Sequence, residues 1–280
     1  MASFLFVLLG ITLLLFGGAS LVRGASGIAE SLNVPSIIIG LTVVAFGTSA
    51  PELVINITGA LQGKTDLAFG NAVGSNLANF GLVLGIAAIM SPIYLQGRVI
   101  RREVPFLLLI TAILLVMVWD QQLSGTLALL DRGDAIILFL LFTVFVYFMV
   151  RDFITEEDDP LLVEGETFSS SGASNTLLNI VLVIAGFVLL VVGGEMTIEN
   201  GVELAQLMGV SEVVIGMFVL AVGTSLPELV TSAIAAYKKE TDLALGNIVG
   251  SNIFNSLVVL PAAAIIRPLP IPKGGDWDLA

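Results

Sequence analysis

The sequence predicts an all-α polytopic membrane protein, organised as two repeats of opposite orientation. Hydrophobic residues make up 56% of the 280 residues and charged residues only 12%, about half the charged fraction of a typical soluble domain. Apolar runs of about 20 residues recur along the chain, and such runs cross a bilayer as helices because hydrocarbon offers the backbone no hydrogen-bond partner. One long apolar motif also occurs twice, a pattern typical of transporters built from internal repeats.

Composition also excludes several kinds of site. The chain has no Cys and no His, so thiolate ligands, imidazole ligands and histidine proton relays are ruled out. The balance of 11 basic against 23 acidic residues argues against nucleic-acid binding, which requires a basic surface. We expect no bound cofactor, and the lipid bilayer is the expected surroundings of most of the chain.

Eight transmembrane spans follow from the apolar runs. The first run begins at Ala2 with no Lys or Arg before it and extends to Val22, which is too long for the apolar core of a signal peptide. The predicted spans are 2–22, 34–61, 68–92, 103–119, 133–151, 176–197, 210–237 and 243–266.

These spans divide the chain into two halves and a linker. Residues 1–151 hold five spans, residues 152–175 form an acidic, Ser- and Gly-rich connection, and residues 176–280 hold three spans. We interpret the connection as a solvated linker. A regulatory cation-binding loop is the alternative, although the acidic spacing does not resemble an EF-hand.

Basic residues indicate the orientation, because cytoplasmic loops carry the excess of Lys and Arg. With the N-terminus outside, seven basic residues fall on the inner side: Arg23, Arg98, Arg101, Arg102, Arg151, Lys238 and Lys239. Four fall on the outer side: Lys64, Arg132, Arg267 and Lys273. The linker is then cytoplasmic, and because five spans precede it, the second half enters the membrane in the opposite sense. The two halves therefore form an inverted-topology repeat.

The repeated motif spans residues 40–80 in the first half and 216–256 in the second. GLTVVAFGTSAPELV opens at Gly40 and GMFVLAVGTSLPELV at Gly216, and GNAVGSNLAN and GNIVGSNIFN follow at Gly70 and Gly246. The offset between copies is a constant 176 residues. Adding this offset to the start of the fourth span reaches the end of the chain. We therefore predict that the second half lacks its last two helices, so that eight of ten are present.

Two glutamates, Glu52 and Glu228, mark the centre of the two copies. An ionised Glu at mid-bilayer costs several kcal/mol unless a cation, water or protons accompany it. Neither span carries a Lys or Arg, so a structural salt bridge is poorly supported. Paired carboxylates suit Ca²⁺, or Na⁺ in its place, because both are hard cations that prefer oxygen ligands.

Neutral oxygen atoms surround these glutamates in the sequence. Pro51 and Pro227 precede them, and a proline within a helix frees upstream carbonyls, which membrane proteins tolerate where the backbone lines a cavity or coordinates an ion. The candidate carbonyls belong to Ala45, Gly47, Thr48, Ala221, Gly223 and Thr224, and the candidate hydroxyls to Thr48, Ser49, Thr224 and Ser225. On the next spans, one helix face carries Asn71, Ser75 and Asn79, and its repeat carries Asn247, Ser251 and Asn255. Hydroxyls that bond back to their own helix, and glycines that serve only for close packing, are the structural alternatives.

At these residues the chain resembles the cation/calcium exchanger superfamily, specifically prokaryotic sodium/calcium exchangers. GTSAPEL with GNAVGSNLAN is similar to the first alpha repeat of that family, and GTSLPELV with GNIVGSNIFN to the second. The resemblance implies ten helices, a plasma (inner) membrane location and exchange of Ca²⁺ for Na⁺ by alternating access. It also implies a ligand set: Glu52 and Glu228 at the centre, with Thr48, Ser49, Thr224, Ser225, Ser75, Asn79, Ser251, and carbonyls of Ala45 and Ala221. Asn255 stands where many relatives carry Asp.

The sequence therefore predicts a secondary antiporter that exchanges Ca²⁺ for Na⁺ at a midplane site. A proton-driven calcium exchanger and a K⁺-dependent Na⁺/Ca²⁺ exchanger are the nearest alternatives. From other classes, an intramembrane enzyme with two carboxylates and a non-transporting fragment remain open. The sequence leaves the driving ion, the stoichiometry and the oligomeric state undecided.

Overall fold

The structure, a computed structural model, describes residues 2–32, 34–93, 99–119, 125, 128–155, 176–209 and 223–271. In the first half the helices are α1 (Ala2–Leu32), α2 (Ser36–Ile39), α3 (Ala45–Thr48), α4 (Ala50–Leu61), α5 (Thr65–Ala78), α6 (Leu84–Met90), α7 (Val104–Val118) and α8 (Arg132–Thr155). In the second half they are α9 (Thr176–Leu207), α10 (Leu226–Tyr237), α11 (Thr241–Phe254) and α12 (Leu260–Ile266). Short π-helical turns at Gly40–Val44, Asn79–Val83, Val99–Glu103 and Asn255–Val259 continue these helices.

Helices of membrane-spanning length dominate the described part of the chain. Five of them are long and apolar enough to cross a bilayer, and a sixth span results if the bent pair Ser36–Thr48 and Ala50–Leu61 counts as one. The predicted all-α membrane fold is thus confirmed. α1 continues to Leu32 rather than ending at Val22, since a helix that leaves the bilayer can keep its backbone hydrogen bonds among charged residues. The linker from 156 to 175 and the first part of the seventh predicted span, residues 210–222, lie outside the described residues.

α1 and α9 pack antiparallel along their whole length, with backbone against backbone. A Cβ atom on Gly17 would lie 3.0 Å from the Gly186 carbonyl oxygen, and one on Gly10 would lie 2.9 Å from that of Gly193. The 176-residue offset maps Gly10 onto Gly186 and Gly17 onto Gly193. The two contacts are therefore reciprocal, as a two-fold axis between equivalent elements requires. This reciprocity and the antiparallel packing are what an inverted repeat produces.

α11 is the centre of the fold. Every residue from Leu243 to Phe254 is buried, and the helix packs across α2, α3 and the turn between them. Glycines allow this approach, because Cβ atoms on Gly246 and Gly250 would lie 2.6 Å and 2.7 Å from carbonyl oxygens of the second span. These two glycines therefore serve the close packing of α11 against the second span. The equivalent contacts of Gly70 and Gly74 would involve residues 210–222, outside the described part.

Charged residues gather at two opposite ends of the bundle. Arg23 and Lys238 line one cavity of about 320 Å³, together with Glu30 and Glu240, and the pKa of Lys238 lies below its usual value, first because of partial burial and second because Arg23 is near. At the other end the Arg132 Nε–H donates to the Ile265 carbonyl at 3.0 Å. The sequence assigned Arg23 and Lys238 to one side of the membrane and Arg132 to the other, and the structure groups them in the same way.

A short antiparallel pairing at the Arg132 end was not predicted from the sequence. Strand β1 (Leu129–Leu130), before α8, pairs with β2 (Leu269–Pro270), after α12. The Ile271 N–H donates to the Ala128 carbonyl at 3.1 Å and extends the pairing. Two-residue strands carry no periodicity from which a sequence pattern could reveal them.

The turns after α4 and α10 have the same geometry with different residues. In each, two backbone bonds close the helix end: Gly63 to Ala60 and Lys64 to Gly59 in the first, Lys239 to Ala236 and Glu240 to Ala235 in the second. This pattern requires a left-handed residue just after the helix. Gly63 provides it with φ of 78° in the first copy, and Lys239 with φ of 66° in the second.

The substitution Lys239→Gly should stabilise the protein by about 1 kcal/mol, because a side chain in the left-handed region clashes with the backbone and glycine does not. The thermal unfolding midpoint of the detergent-solubilised protein measures the gain. Lys238→Gly is the matched control, since Lys238 has φ of −80° and should gain nothing. An unchanged or lowered midpoint for Lys239→Gly would show that the lysine side chain, not the backbone, decides the stability of this turn.

Candidate functional site

Both motif copies break their helix just before the proline. α3 ends at Thr48, Ser49 has φ of −87° and ψ of 7°, and α4 starts at Ala50, with a bend of 42° between the two segments. Ser225 has nearly the same angles, −86° and 9°, before α10. The breaks place Glu52 and Glu228 in the first turn of new helices, where the positive end of the helix dipole favours a negative charge.

The two glutamates are fully buried, with 0% of each side chain exposed. Glu52 Oε1 accepts a hydrogen bond from Ser75 Oγ at 3.4 Å, and Glu228 Oε1 accepts one from Ser49 Oγ at 2.9 Å. The Oε2 atom of each glutamate has no hydrogen-bond partner in the described part of the chain. Each carboxylate therefore keeps one oxygen free for a ligand.

Hydroxyl groups connect the two repeats at this point. Ser75 Oγ lies 3.1 Å from Thr224 Oγ1, and Ser251 Oγ lies 3.5 Å from Thr48 Oγ1. By the repeat offset these are the same pair seen from opposite halves. The two-fold relation seen between α1 and α9 therefore passes through the site, and it brings side chains about 150 to 200 residues apart in sequence into one cluster.

The symmetry is broken at the two serines before the prolines. Ser49 and Ser225 occupy N-cap positions, with a glutamate three residues later, which is the pattern of a capping box. Neither side chain caps its helix. Ser49 Oγ donates across the site to Glu228, whereas Ser225 Oγ is buried with no partner among the described residues.

Asn79 and Asn255 begin the two π-helical turns of the site helices. Such turns often occur at functional sites. Both side chains are fully buried, and within the described residues neither amide makes a hydrogen bond. Buried polar groups are almost always partnered, so two unpartnered amides at equivalent positions point to a ligand.

The predicted carbonyl ligands are less well supported. The Ala45 carbonyl accepts the Ser49 N–H at 3.0 Å and lies 3.4 Å from the Thr48 hydroxyl. One of its lone pairs is therefore engaged by the backbone. Ala221, the equivalent residue, lies outside the described residues.

Sequence reasoning missed a second layer of polar residues behind the site. Asn71 Nδ2 donates to Asn56 Oδ1 at 2.7 Å, and Asn247 Nδ2 donates to Ser232 Oγ at 2.9 Å. The sequence pattern placed Asn71 and Asn247 on the same helix faces as Ser75 and Ser251 but did not assign them as ligands. Asn56 and Ser232 each lie one helical turn after a motif glutamate and are related by the same offset, and this signal would have found them.

The cluster has the chemistry of a cation site. Its oxygens without a donor in the described residues are Glu52 Oε2, Glu228 Oε2, Asn71 Oδ1, Asn79 Oδ1, Asn255 Oδ1 and Ser225 Oγ. Carboxylate, amide and hydroxyl oxygens are the ligands of hard cations such as Ca²⁺, and no cation of the described residues pairs with either glutamate. The residues present therefore fit a transported metal ion as substrate.

Comparison with known proteins identifies the family. The chain matches the family described as sodium/calcium exchanger protein over residues 2–151 and 178–278. The chain belongs to this family. CaxA of Alkalimonas amylolytica is 41% identical over 264 residues, covering 94% of this chain and 81% of CaxA. The sodium/calcium exchanger MaX1 of Methanosarcina acetivorans is 32% identical over 300 residues, covering 97% of this chain and 85% of MaX1.

The fold of a solved family member agrees over nearly the whole chain. The sodium/calcium exchanger from Methanococcus jannaschii superposes with a TM-score of 0.84 at 29% identity, covering 99% of this chain and 86% of that protein. Membership in the sodium/calcium exchanger family makes the chain a membrane transporter of the Na⁺/Ca²⁺ antiport class, and the alternative of an intramembrane enzyme is wrong.

The asymmetry of the serines in this exchanger can be tested by alanine substitution. Ser49→Ala should destabilise the cation-free protein by about 1–3 kcal/mol, because it leaves a second oxygen of buried Glu228 without a donor. Ser225→Ala is the matched variant and should cost less, since its hydroxyl is already unpartnered. Thermal unfolding midpoints in chelator-treated, Na⁺-free buffer measure both, and equal losses would contradict the assigned asymmetry.

Proposed function

We propose that the chain exchanges Ca²⁺ for Na⁺ at the cluster around Glu52 and Glu228. The observation that carries this proposal is the pair of fully buried carboxylates, each with one oxygen unpartnered in the described residues. Left ionised without a counter-ion, two buried carboxylates would destabilise the fold by several kcal/mol. A bound cation removes that cost, so the site favours cation occupancy.

Competition between the two ions follows from the charges. Within the proposed ligand set, Glu52 and Glu228 are the charged members. Asn255, the repeat equivalent of Asn79, is neutral. One Ca²⁺ or two Na⁺ balance two carboxylates. Because the same oxygens would serve either ion, only one kind occupies the cluster in each half-cycle, and this coupling makes the transporter an antiporter.

Alternating access would use the two long helices α1 and α9. Their mutual contact is built on glycine backbones, so the two helices would shift together as one unit. α9 also covers the motif: Gly47 faces the ring of Phe187, and Gly223 faces Ile198. A shift of α1 and α9 would therefore change which side of the membrane reaches the site.

We place the protein in the plasma (inner) membrane, and the grouping of charges supports an orientation with the N-terminus outside and the linker in the cytoplasm. Arg23 and Lys238 share one end of the bundle, and positive charge is retained on the cytoplasmic side.

Neutralising either central glutamate should abolish transport. Glu52→Gln and Glu228→Gln keep the side-chain volume but remove one of two charges that bind Ca²⁺, so Na⁺-driven ⁴⁵Ca²⁺ uptake into proteoliposomes should fall by at least about 100-fold, given the strength of buried charge interactions. Glu199→Gln is the control, because Glu199 is exposed on α9 and its loss should leave uptake unchanged. Retained flux in either site variant would overturn the assignment of the site.

The driving ion is tested by changing the gradient in the same vesicles. We expect an outward Na⁺ gradient to drive ⁴⁵Ca²⁺ uptake, with no K⁺ required, because the cluster supplies only enough charge for one Ca²⁺ or two Na⁺. Uptake driven by a pH gradient in the absence of Na⁺ would identify a proton-driven calcium exchanger. Uptake that needs K⁺ together with Na⁺ would identify a K⁺-dependent exchanger.

A further inference from the structure

A hydrogen-bonded relay stands behind one side of the cation site. Thr48 Oγ1 donates to Asn247 Oδ1 at 3.0 Å, and Asn247 Nδ2 donates to Ser232 Oγ at 2.9 Å. All three side chains are buried, with exposures of 1% or less. The relay connects α3 of the first repeat to α11 and α10 of the second.

The direction of this relay matters for a cation ligand. A threonine hydroxyl has one proton and two lone pairs, and it can coordinate a cation only while its proton points away. Asn247 Oδ1 accepts the hydrogen bond from the Thr48 hydroxyl, which directs the proton away from the site. The competing acceptors are the Ala45 carbonyl at 3.4 Å and Ser251 Oγ at 3.5 Å, so the shorter bond to Asn247 Oδ1 is favoured.

The first repeat contains the equivalent relay, and there its polarity is fully determined. Asn56 Nδ2 donates to the Ala68 carbonyl at 2.8 Å, which can only accept. Asn56 therefore presents its oxygen to Asn71, and Asn71 must present Nδ2 to Asn56. This leaves Asn71 Oδ1 as a buried acceptor with no donor among the described residues. By the repeat offset, Asn71 Oδ1 corresponds to Asn247 Oδ1, the atom that accepts the Thr48 hydrogen bond.

We propose that Asn247 is a positioning residue, which accepts the hydrogen bond of Thr48 and so keeps its proton turned away from the cation, leaving the threonine oxygen able to coordinate it. The proposal rests on the proposed function, since it assigns a role at the same site. Asn247 itself does not touch the transported ion. It acts through Thr48, and Ser232 fixes the orientation of its amide.

A double-mutant cycle tests whether Asn247 acts through Thr48. Asn247→Ala should raise the Ca²⁺ concentration for half-maximal exchange by about fivefold, the usual worth of one hydrogen bond, with little change in the maximal rate. Thr48→Val removes the hydroxyl and keeps the shape. In that background, adding Asn247→Ala should shift the half-maximal concentration by less than about twofold.

The matched control is Asn252→Ala. Asn252 lies on the same helix and is equally buried, but its Nδ2 donates to the Ile248 carbonyl of its own helix at 3.0 Å. Its loss should leave the half-maximal Ca²⁺ concentration unchanged. An equal shift for Asn252→Ala and Asn247→Ala would show that both act by general loosening of α11, and would overturn the proposal.

The remaining outcomes also discriminate. Independent, multiplying effects of Asn247→Ala and Thr48→Val would show that the asparagine does not act through the threonine. If Asn247→Ala fails to fold, Ser232→Ala replaces it in the cycle: a smaller shift in the same direction that disappears in Thr48→Val supports the relay, and a persisting shift overturns it. Absence of exchange by the unmodified protein would instead refute the proposed function.

Discussion

Two carboxylates buried in a membrane-spanning bundle, without a protein cation beside them in the described residues, set the constraint on which the rest of the site depends. Such groups are tolerated only if helix dipoles, hydrogen bonds and a bound ion compensate the lost hydration. The proline breaks supply helix N-termini beside Glu52 and Glu228, and Ser75 and Ser49 supply one hydrogen bond each. The compensation is incomplete, and the oxygens left over are those that we propose to bind the transported cation.

The repeated motif provides both halves of this cluster. Because the same motif occurs twice, threonine hydroxyls of one half lie against serine hydroxyls of the other. Thr48 lies against Ser251, and Thr224 lies against Ser75. The repeat is not perfectly symmetric. Ser49 is engaged with Glu228 while Ser225 has no partner in the described part, and Ser232 replaces Asn56 behind the site. Two homologous halves in different local arrangements are what a transporter needs if its two sides are to open in turn.

Glycine makes these arrangements possible. Lipid provides no hydrophobic driving force between helices, so association in a membrane relies on close packing of small residues. Gly17 against Gly186 brings α1 and α9 into backbone contact, and Gly246 and Gly250 bring α11 onto the broken second span. The second contact brings Asn247 to Thr48, so helix packing also sets the geometry of the proposed cation site.

Periodicity, composition and the repeated motif were enough to predict the all-α membrane fold and to name most of the polar residues that the structure buries around Glu52 and Glu228. Both depend on local chemistry or on repetition along the chain. Local patterns did not reveal three features. Ser49 occupies a helix-cap position but donates to Glu228, Lys239 adopts a left-handed conformation after α10, and β1 pairs with β2 about half the length of the chain away. The repeat offset could have singled out Asn56 and Ser232, but their hydrogen bonds to Asn71 and Asn247 form only because α5 and α11 pack beside them. The partners of Ser49 and of β1 lie far away in the chain, and only the packed structure decides which partner lies within hydrogen-bond distance.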